Sequence, residues 1–420
     1  MPPEARPSPR RGLRRNRDFH VFWAGETVSL FGAEVSLLAL PITALVVLGA
    51  DAADLGLLRF AEYLPFLVLA LPLGVLVDRS RRRPLLITAN AARALLIGAV
   101  PVLAAFGCLT LSRLAILATG LGTFTVLFDL CLVAYLPRFV APEDLLSANG
   151  RVSVSQAAAE IAGPGLFGLL VQRLSAPLCL ALNAGSYLVS VLSLLLIKRP
   201  EPGPVPGAGT PWRDFRDGLR FLVRSPPLRA VTMAGALCNL AYTVFQTAFL
   251  VYVNRVLGFG AGAIGMVLAT GAAGGLAGAA GAAWLARRLP VGVMYLAAMV
   301  AGGVPALLIP AVSGRQVSLL LISVLLVVIN GGLAVCNVLT ATLRQTVTPN
   351  GLLGRVVAGY RALVFGGIAL GGLVTSWLGG LADARALLWV AGLLFVSAVA
   401  PILFSPVPRI RRFAQEGASL

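Results

Sequence analysis

The sequence predicts an all-α membrane protein, with twelve transmembrane helices in two pseudo-symmetric six-helix bundles, and three observations carry that expectation. Of the 420 residues 58% are hydrophobic and 12% charged, with a mean hydropathy of +0.88, so the chain has too few polar groups to face water all round and its solvent is lipid. Twelve apolar runs, each near the ~20 residues needed to cross a hydrocarbon core, are separated by short polar or Gly/Pro breaks. The chain also repeats its own plan at an offset of 207 residues. GVLVDRSRRRP from Gly74 falls on GAAWLARRLPV from Gly281, VAPEDLL from Val140 on VTPNGLL from Val347, and PGLFGLL from Pro164 on GGLVTSW from Gly371. Three separated stretches agreeing on one shift mark an internal parallel repeat.

The elements follow in order. Residues 1–18 form a basic N-terminus, too long in its apolar sequel and without a small-residue cleavage site to be a secretory signal, so the first run is read as an uncleaved span. Spans 19–49, 54–77, 85–107, 111–136, 153–173 and 177–197 make the N-terminal bundle, 19–197. Residues 198–228 link the halves: PEPGPVPGAGTPWRD ends the apolar pattern, and WRDFRDGLRFLVR from Trp212 alternates basic and apolar residues at helical spacing. That pattern reads as an amphipathic helix on the membrane surface, with continuation of the seventh span as the alternative. Spans 229–256, 261–286, 291–312, 316–342, 356–380 and 385–405 make the C-terminal bundle, 229–405, and 406–420 form the tail.

A net charge of +17 would suggest nucleic acid in a soluble protein, but its distribution points elsewhere. If the N-terminus, alternate loops and the tail share one side, that side holds 27 of the 34 Lys and Arg, which places both termini and the central link in the cytoplasm of a cell membrane. Anionic headgroups of the bilayer, not nucleic acid, are then the neighbours of these arginines. Cys108, at the edge of the third predicted span, and Cys131, Cys179, Cys238 and Cys336, inside theirs, lack close pairing, as small apolar residues do. Lys198 is the only lysine and follows Ile197, so no phosphate-binding loop of the G-x-x-x-x-G-K-[ST] type exists. His20 is the only histidine, and no cluster has metal-ligand spacing, so neither metal catalysis nor a His-based triad is expected. The expectation is a protein that is not an enzyme, needs no cofactor, works as a monomer and draws energy from a gradient.

GVLVDRSRRRPLL from Gly74 to Leu86 resembles the signature G-x-L-x-D-R-x-G-R-R between spans 2 and 3 of the major facilitator superfamily, with Gly74, Leu76, Asp78, Arg79, Arg82 and Arg83 matching and Arg81 replacing the second glycine. The runs at Phe22–Pro41, Thr125–Val140 and Ala162–Val171 are similar to the drug-exporter branch that includes macrolide and enterobactin exporters. The resemblance implies two bundles around a cavity, lined mainly by spans 1, 4, 7 and 10, that opens alternately to each side. It also implies a latch: Asp78 caps the start of span 11, and Arg79 or Arg82 pairs with Asp129 in span 4. A carboxylate at a helix N-terminus is favoured by the dipole and the unsatisfied N–H groups. The second half has Leu285 in place of Asp78 and so lacks this latch. A positive-inside anchor explains the loop without gating. Gly163, Pro164 and Gly168 resemble in part the span 5 motif g-x-x-x-G-P-x-x-G-G common in antiporters, although close helix packing accounts for them as well.

Glu26, Glu34, Glu62, Asp129 and Glu160 lie inside predicted spans, and together they would cost roughly 12 to 17 kcal/mol if ionised and unpaired. Glu34 and Glu62 fall at similar depth in the outer half of the bilayer and could exchange protons there; Glu26 and Asp129 are further coupling candidates. Arg59, one turn from Glu62, offers it a structural i, i+3 pair instead, and Glu160 could simply be solvated. In the second half Asn239 and Gln246, and Asn330 and Asn337, are each seven residues apart and share a helix face. With Tyr242 they could line a substrate cavity, or hydrogen-bond between helices. The leading expectation is a proton-coupled antiporter that exports amphipathic small molecules. A nutrient importer is the alternative, and a non-transporting receptor or scaffold a more distant one.

Overall fold

A computed structural model describes residues 16–140, 144–198, 211–312, 315–349 and 352–411. The first fifteen residues, the Pro/Gly-rich joint 199–210, the tail from 412 and the side chain of Asp78 lie outside this set. The described residues form helices and no strand. In order these are α1 (Arg17–Val47), α2 (Ala52–Val68), α3 (Ala70–Arg79), α4 (Arg82–Ala105), α5 (Leu111–Phe139), α6 (Leu145–Arg173) and α7 (Ala176–Leu196). After the joint come α8 (Pro211–Arg224), α9 (Pro226–Val251), α10 (Ala261–Arg288), α11 (Val291–Leu308), α12 (Arg315–Val347), α13 (Leu353–Gly379), α14 (Ala384–Ser397) and α15 (Ala400–Leu403).

Eleven helices are long and apolar enough to cross a membrane, and the twelfth crossing is the second apolar run, broken at Leu69 into α2 and α3. The break has a local cause. Pro72 has no N–H to offer the Val68 carbonyl, and its ring crowds that turn. Caps set the entries of other crossings: Asn16 accepts from the Phe19 N–H before α1, Asp51 and Asp54 form a reciprocal capping box before α2, and the Asp383 carboxylate accepts from the Ala386 N–H before α14.

The repeat seen in the sequence returns as one set of neighbours used twice. In the first half α1 packs on α6 and α7, α4 on α5 and α7, and α2 on α5; in the second half α9 packs on α13 and α14, α11 on α12 and α14, and α10 on α12. Numbered by crossing, these are the same five pairs. The seams between halves obey the same symmetry, since α2 meets α13 and α6 meets α10. Both seams are built on glycine at the face opposite the chain termini. A Cβ on Gly265 would strike the backbone of Gly168, and one on Gly372 would meet the backbone of Gly56 and Phe60. Backbones this close gain dispersion contact that larger side chains would forbid. Arg255 fastens the same face, its Nη2 donating to the carbonyls of Gly49 (2.6 Å) and Ala50 (2.7 Å) across the halves.

Residues Pro211–Arg224 form a helix of their own, and Ser225 separates it from α9, so it does not extend the seventh crossing. Part of its apolar side packs on the second half: Leu222 is buried with Leu228 and Val356, and Gly218 abuts the Arg355 backbone at the start of α13, while Val223 is exposed. One cysteine also departs from expectation. Cys108 lies exposed in the loop after α4 rather than in a span, because Gly107 at φ +65° has already ended the helix.

Candidate functional site

A cavity of about 540 Å³ lies between the halves, walled by α1 and α6 on one side and by α9, α10, α11, α12 and α13 on the other. All five polar residues singled out in the second half line it: Asn239, Tyr242 and Gln246 on α9, and Asn330 and Asn337 on α12. The seven-residue spacing is the physical reason, since two helical turns return a side chain to nearly the same face. Within the helices, Asn239 Nδ2 donates to the Gly235 carbonyl and Asn330 Nδ2 to the Leu326 carbonyl, each four residues back, which fixes the amides without an interhelical partner. Tyr295 and Tyr360 also line the space, and the Tyr295 hydroxyl shares a 2.8 Å hydrogen bond with Thr340 Oγ1.

The opposite wall carries Glu34 and Glu160. Glu34 is seated by the span 5 glycine: a Cβ on Gly163 would collide with the Glu34 side chain, so α6 can approach α1 here only through glycine. Pro164 lines the cavity, and Gly168, one turn on, makes the seam with α10. Thus the three residues of the span 5 motif have three separate contacts: a carboxylate, the cavity and the other half.

One of the partners expected for the acids, Arg59 beside Glu62, is present, and the others differ. The carboxylate that shares the cavity wall with Glu34 is Glu160; Glu62 does not line it. Glu62 is engaged in an ion pair with Arg59, Nη1 to Oε2 3.0 Å, because the two stand one turn apart on α2. Arg59 Nη2 further donates to the Leu37 carbonyl (3.1 Å) and reaches Gln246 Oε1 (3.5 Å). The cations set against Asp129 are Arg93 on α4 and Arg361 on α13, in place of Arg79 or Arg82. Depth explains this: Arg93 lies eleven residues beyond Arg82, about 16 Å further along the helix, while Arg79 is exposed at the end of α3. Gly74 is not demanded by packing, since a Cβ there would meet nothing within 4 Å.

Arg93 is the residue the sequence reading passed over. It is buried, its guanidinium lies between the rings of Phe128 (4.7 Å) and Tyr187 (4.1 Å), and its Nη1 donates to Asn90 Oδ1 (3.0 Å). Asn90 is in turn fixed by its Nδ2 on Ser190 Oγ (2.8 Å). Glu26, 4% exposed, feels both Arg93 and Asp129, and its Oε2 has no hydrogen-bond partner. A lone arginine in the middle of an apolar run was the available signal. Glu26, Arg93 and Asp129 therefore form a second charged centre on first-half helices, separate from the cavity wall, with Arg361 of the second half set against Asp129.

Comparison with known proteins places this geometry. The sequence profile described as Major Facilitator Superfamily matches residues 22–361. The chain is a member of the major facilitator superfamily. It is 29% identical over 382 residues to the multidrug efflux pump Tap of Mycolicibacterium fortuitum, covering 85% of this chain and 87% of that one. It is 27% identical over 349 residues to the enterobactin exporter EntS of Citrobacter koseri, covering 81% and 80%. Among solved structures, a bacterial homologue of the iron transporter ferroportin in an inward-facing state superposes with a TM-score of 0.76 at 16% identity, over 94% of this chain and 99% of that one. The nucleoside transporter NupG superposes with a TM-score of 0.74 at 12% identity, over 92% and 98%. A major facilitator transporter with multi-pass membrane architecture is what these likenesses establish, and none of the relatives is an enzyme. Among the described residues no group of His, Cys, Asp and Glu is placed to hold a metal.

Proposed function

We propose that this transporter exports amphipathic small molecules by alternating access, in exchange for protons, from a cell membrane in which both termini are cytoplasmic. The observation that carries the reading is the cavity itself: both halves wall it, two carboxylates face several amides and tyrosines across it, and glycine seams and the Arg255 clasp close the face opposite the termini. With the positive-inside orientation, that arrangement is the inward-facing state, ready to load from the cytoplasm or the inner leaflet. The efflux pump and exporter among the relatives support the direction of transport.

Within this reading the first half couples the proton. Glu34 faces the cavity where it can exchange with substrate or water, and Glu160 shares its surroundings. Glu26 and Asp129, held around Arg93, form a charge cluster whose arrangement can change with the state of the bundle. A gradient of about 150 mV supplies roughly 3.5 kcal/mol per proton, enough for a concentration ratio of a few hundred. The test is uptake into inverted vesicles from an efflux-deficient host, across a panel of amphipathic compounds. Accumulation that needs an imposed pH gradient, acid inside, supports antiport. Accumulation that ignores the gradient, or uptake into intact cells down an inward gradient, overturns it.

A further inference from the structure

The cavity is electrically one-sided. Glu34 and Glu160 line it, and none of its described lining residues is Lys, Arg or His. Two cations that touch lining residues are already engaged. Arg59, which touches the lining residue Gln246, is ion-paired with Glu62 at 3.0 Å and donates to the Leu37 carbonyl. Arg344 is stacked on the ring of Tyr360 at 3.7 Å. Gln156 Nε2 donates to Glu160 Oε1 at 3.0 Å, which orients that carboxylate without neutralising it. Two like charges sharing a low-dielectric space repel, a positive group between them relieves the repulsion, and a negative one adds to it.

Resting on the export reading, we propose that the cavity selects organic cations: a positively charged nitrogen or phosphorus centre between Glu34 and Glu160, with its apolar body against the opposite wall. That wall suits such a body. Leu268, Met299 and Leu333 line it with apolar atoms, and Tyr242 and Tyr295 are aromatic members of the same lining, a residue type that attracts cations. The amides of Asn239 and Asn337 supply carbonyl oxygens but no charge of their own, so sign discrimination rests on the acid pair.

The probes that isolate charge are tetraphenylphosphonium and tetraphenylborate, which share shape and differ in sign. Binding is measured by equilibrium dialysis against the full chain in nanodiscs of neutral lipid, with empty discs subtracted. The expected result is phosphonium bound at least tenfold more tightly than borate, with the ratio falling to near one in E34Q/E160Q. Each single variant, E34Q or E160Q, retains part of the preference because one carboxylate remains, so the proposal is testable even where the double variant does not fold. Equal binding of the two ions, a preference for borate, no binding of either, or a preference that survives in the folded double variant would each overturn the proposal. Failure here is distinguishable from failure of the export reading. A vesicle panel in which neutral or anionic compounds are driven by the pH gradient leaves export standing and removes only cation selectivity. A panel with no driven compound removes both.

Discussion

Each charged residue discussed within the apolar spans of the first half has an uncharged counterpart 207 residues on. Glu26 corresponds to Met233, Glu34 to Ala241, Arg59 to Met266, Arg93 to Val300, Asp129 to Cys336 and Glu160 to Gly367. In the other direction the cavity amides Asn239 and Gln246 correspond to Gly32 and Ala39. The two halves keep one set of helix pairings while differing in what those helices carry. Packing symmetry needs only shape at the interfaces, which small and apolar residues satisfy on both sides. Charge is costly in lipid and is kept only where partners or water meet it, so a duplicated scaffold can hold it in one copy and leave the other neutral. The proposed mechanism places gating and coupling in the first half, and the larger share of the neutral cavity lining belongs to the second.

The largest effect should come from removing the cation at the centre of the charged half. Arg93→Ala takes the cation from the side of buried Glu26 and half-buried Asp129 and removes two ring contacts and the hydrogen bond to Asn90, a loss of about 2 to 4 kcal/mol. Thermal unfolding in detergent should show a large drop or no monodisperse protein, while Val300→Ala at the corresponding, half-exposed site of the second half should change stability by about 0.5 kcal/mol or less. Equal losses at the two positions would break the comparison.

The seam offers the next largest effect, because it is where the halves meet as equals. Gly265→Val places a branched side chain against the Gly168 backbone and should open the sealed face. Gln172 and Gly262 are close enough for a cross-link report: Q172C/G262C should form a disulfide readily, and adding Gly265→Val should slow its formation severalfold. Unchanged cross-linking would mean the seam does not hold that face closed.

Substrate contacts should give smaller changes. Asn239→Ala and Asn337→Ala each remove one amide from a cavity with several, and should raise KM about two- to tenfold with kcat little altered. A comparable loss of gradient-driven rate would place coupling in the second half. Arg255→Ala removes two hydrogen bonds at the exposed rim and should shift the conformational balance by about 1 kcal/mol or less, read as slightly faster labelling of a cysteine introduced at Gln246 from the face opposite the termini.

The twelve crossings and the repeat were legible in the sequence because hydropathy and periodicity depend on each helix alone. Even the break at Leu69 has its cause in Pro72, three residues away. The cavity amides were legible for the same reason: a seven-residue spacing names a face. Periodicity does not say which other helix meets that face. Glu34 was therefore matched by depth to Glu62, whereas the fold takes Glu62 to Arg59 on its own helix and brings Glu160 from α6 to the Glu34 wall. Arg93 escaped for a related reason. A single arginine in an apolar run gives no hint that two aromatic rings and two acids from three other helices gather around it.

The central claim, that the proton is coupled in the first half, is tested most directly by Glu34→Gln in inverted vesicles. Two fluxes are compared for one transported compound: accumulation driven by an imposed pH gradient, and exchange of labelled for unlabelled compound at equal pH on both sides. The account predicts that driven accumulation falls to the level of vesicles without the protein while exchange persists, because the cavity and its second carboxylate remain. Gradient-driven accumulation at the wild-type rate in Glu34→Gln would contradict it.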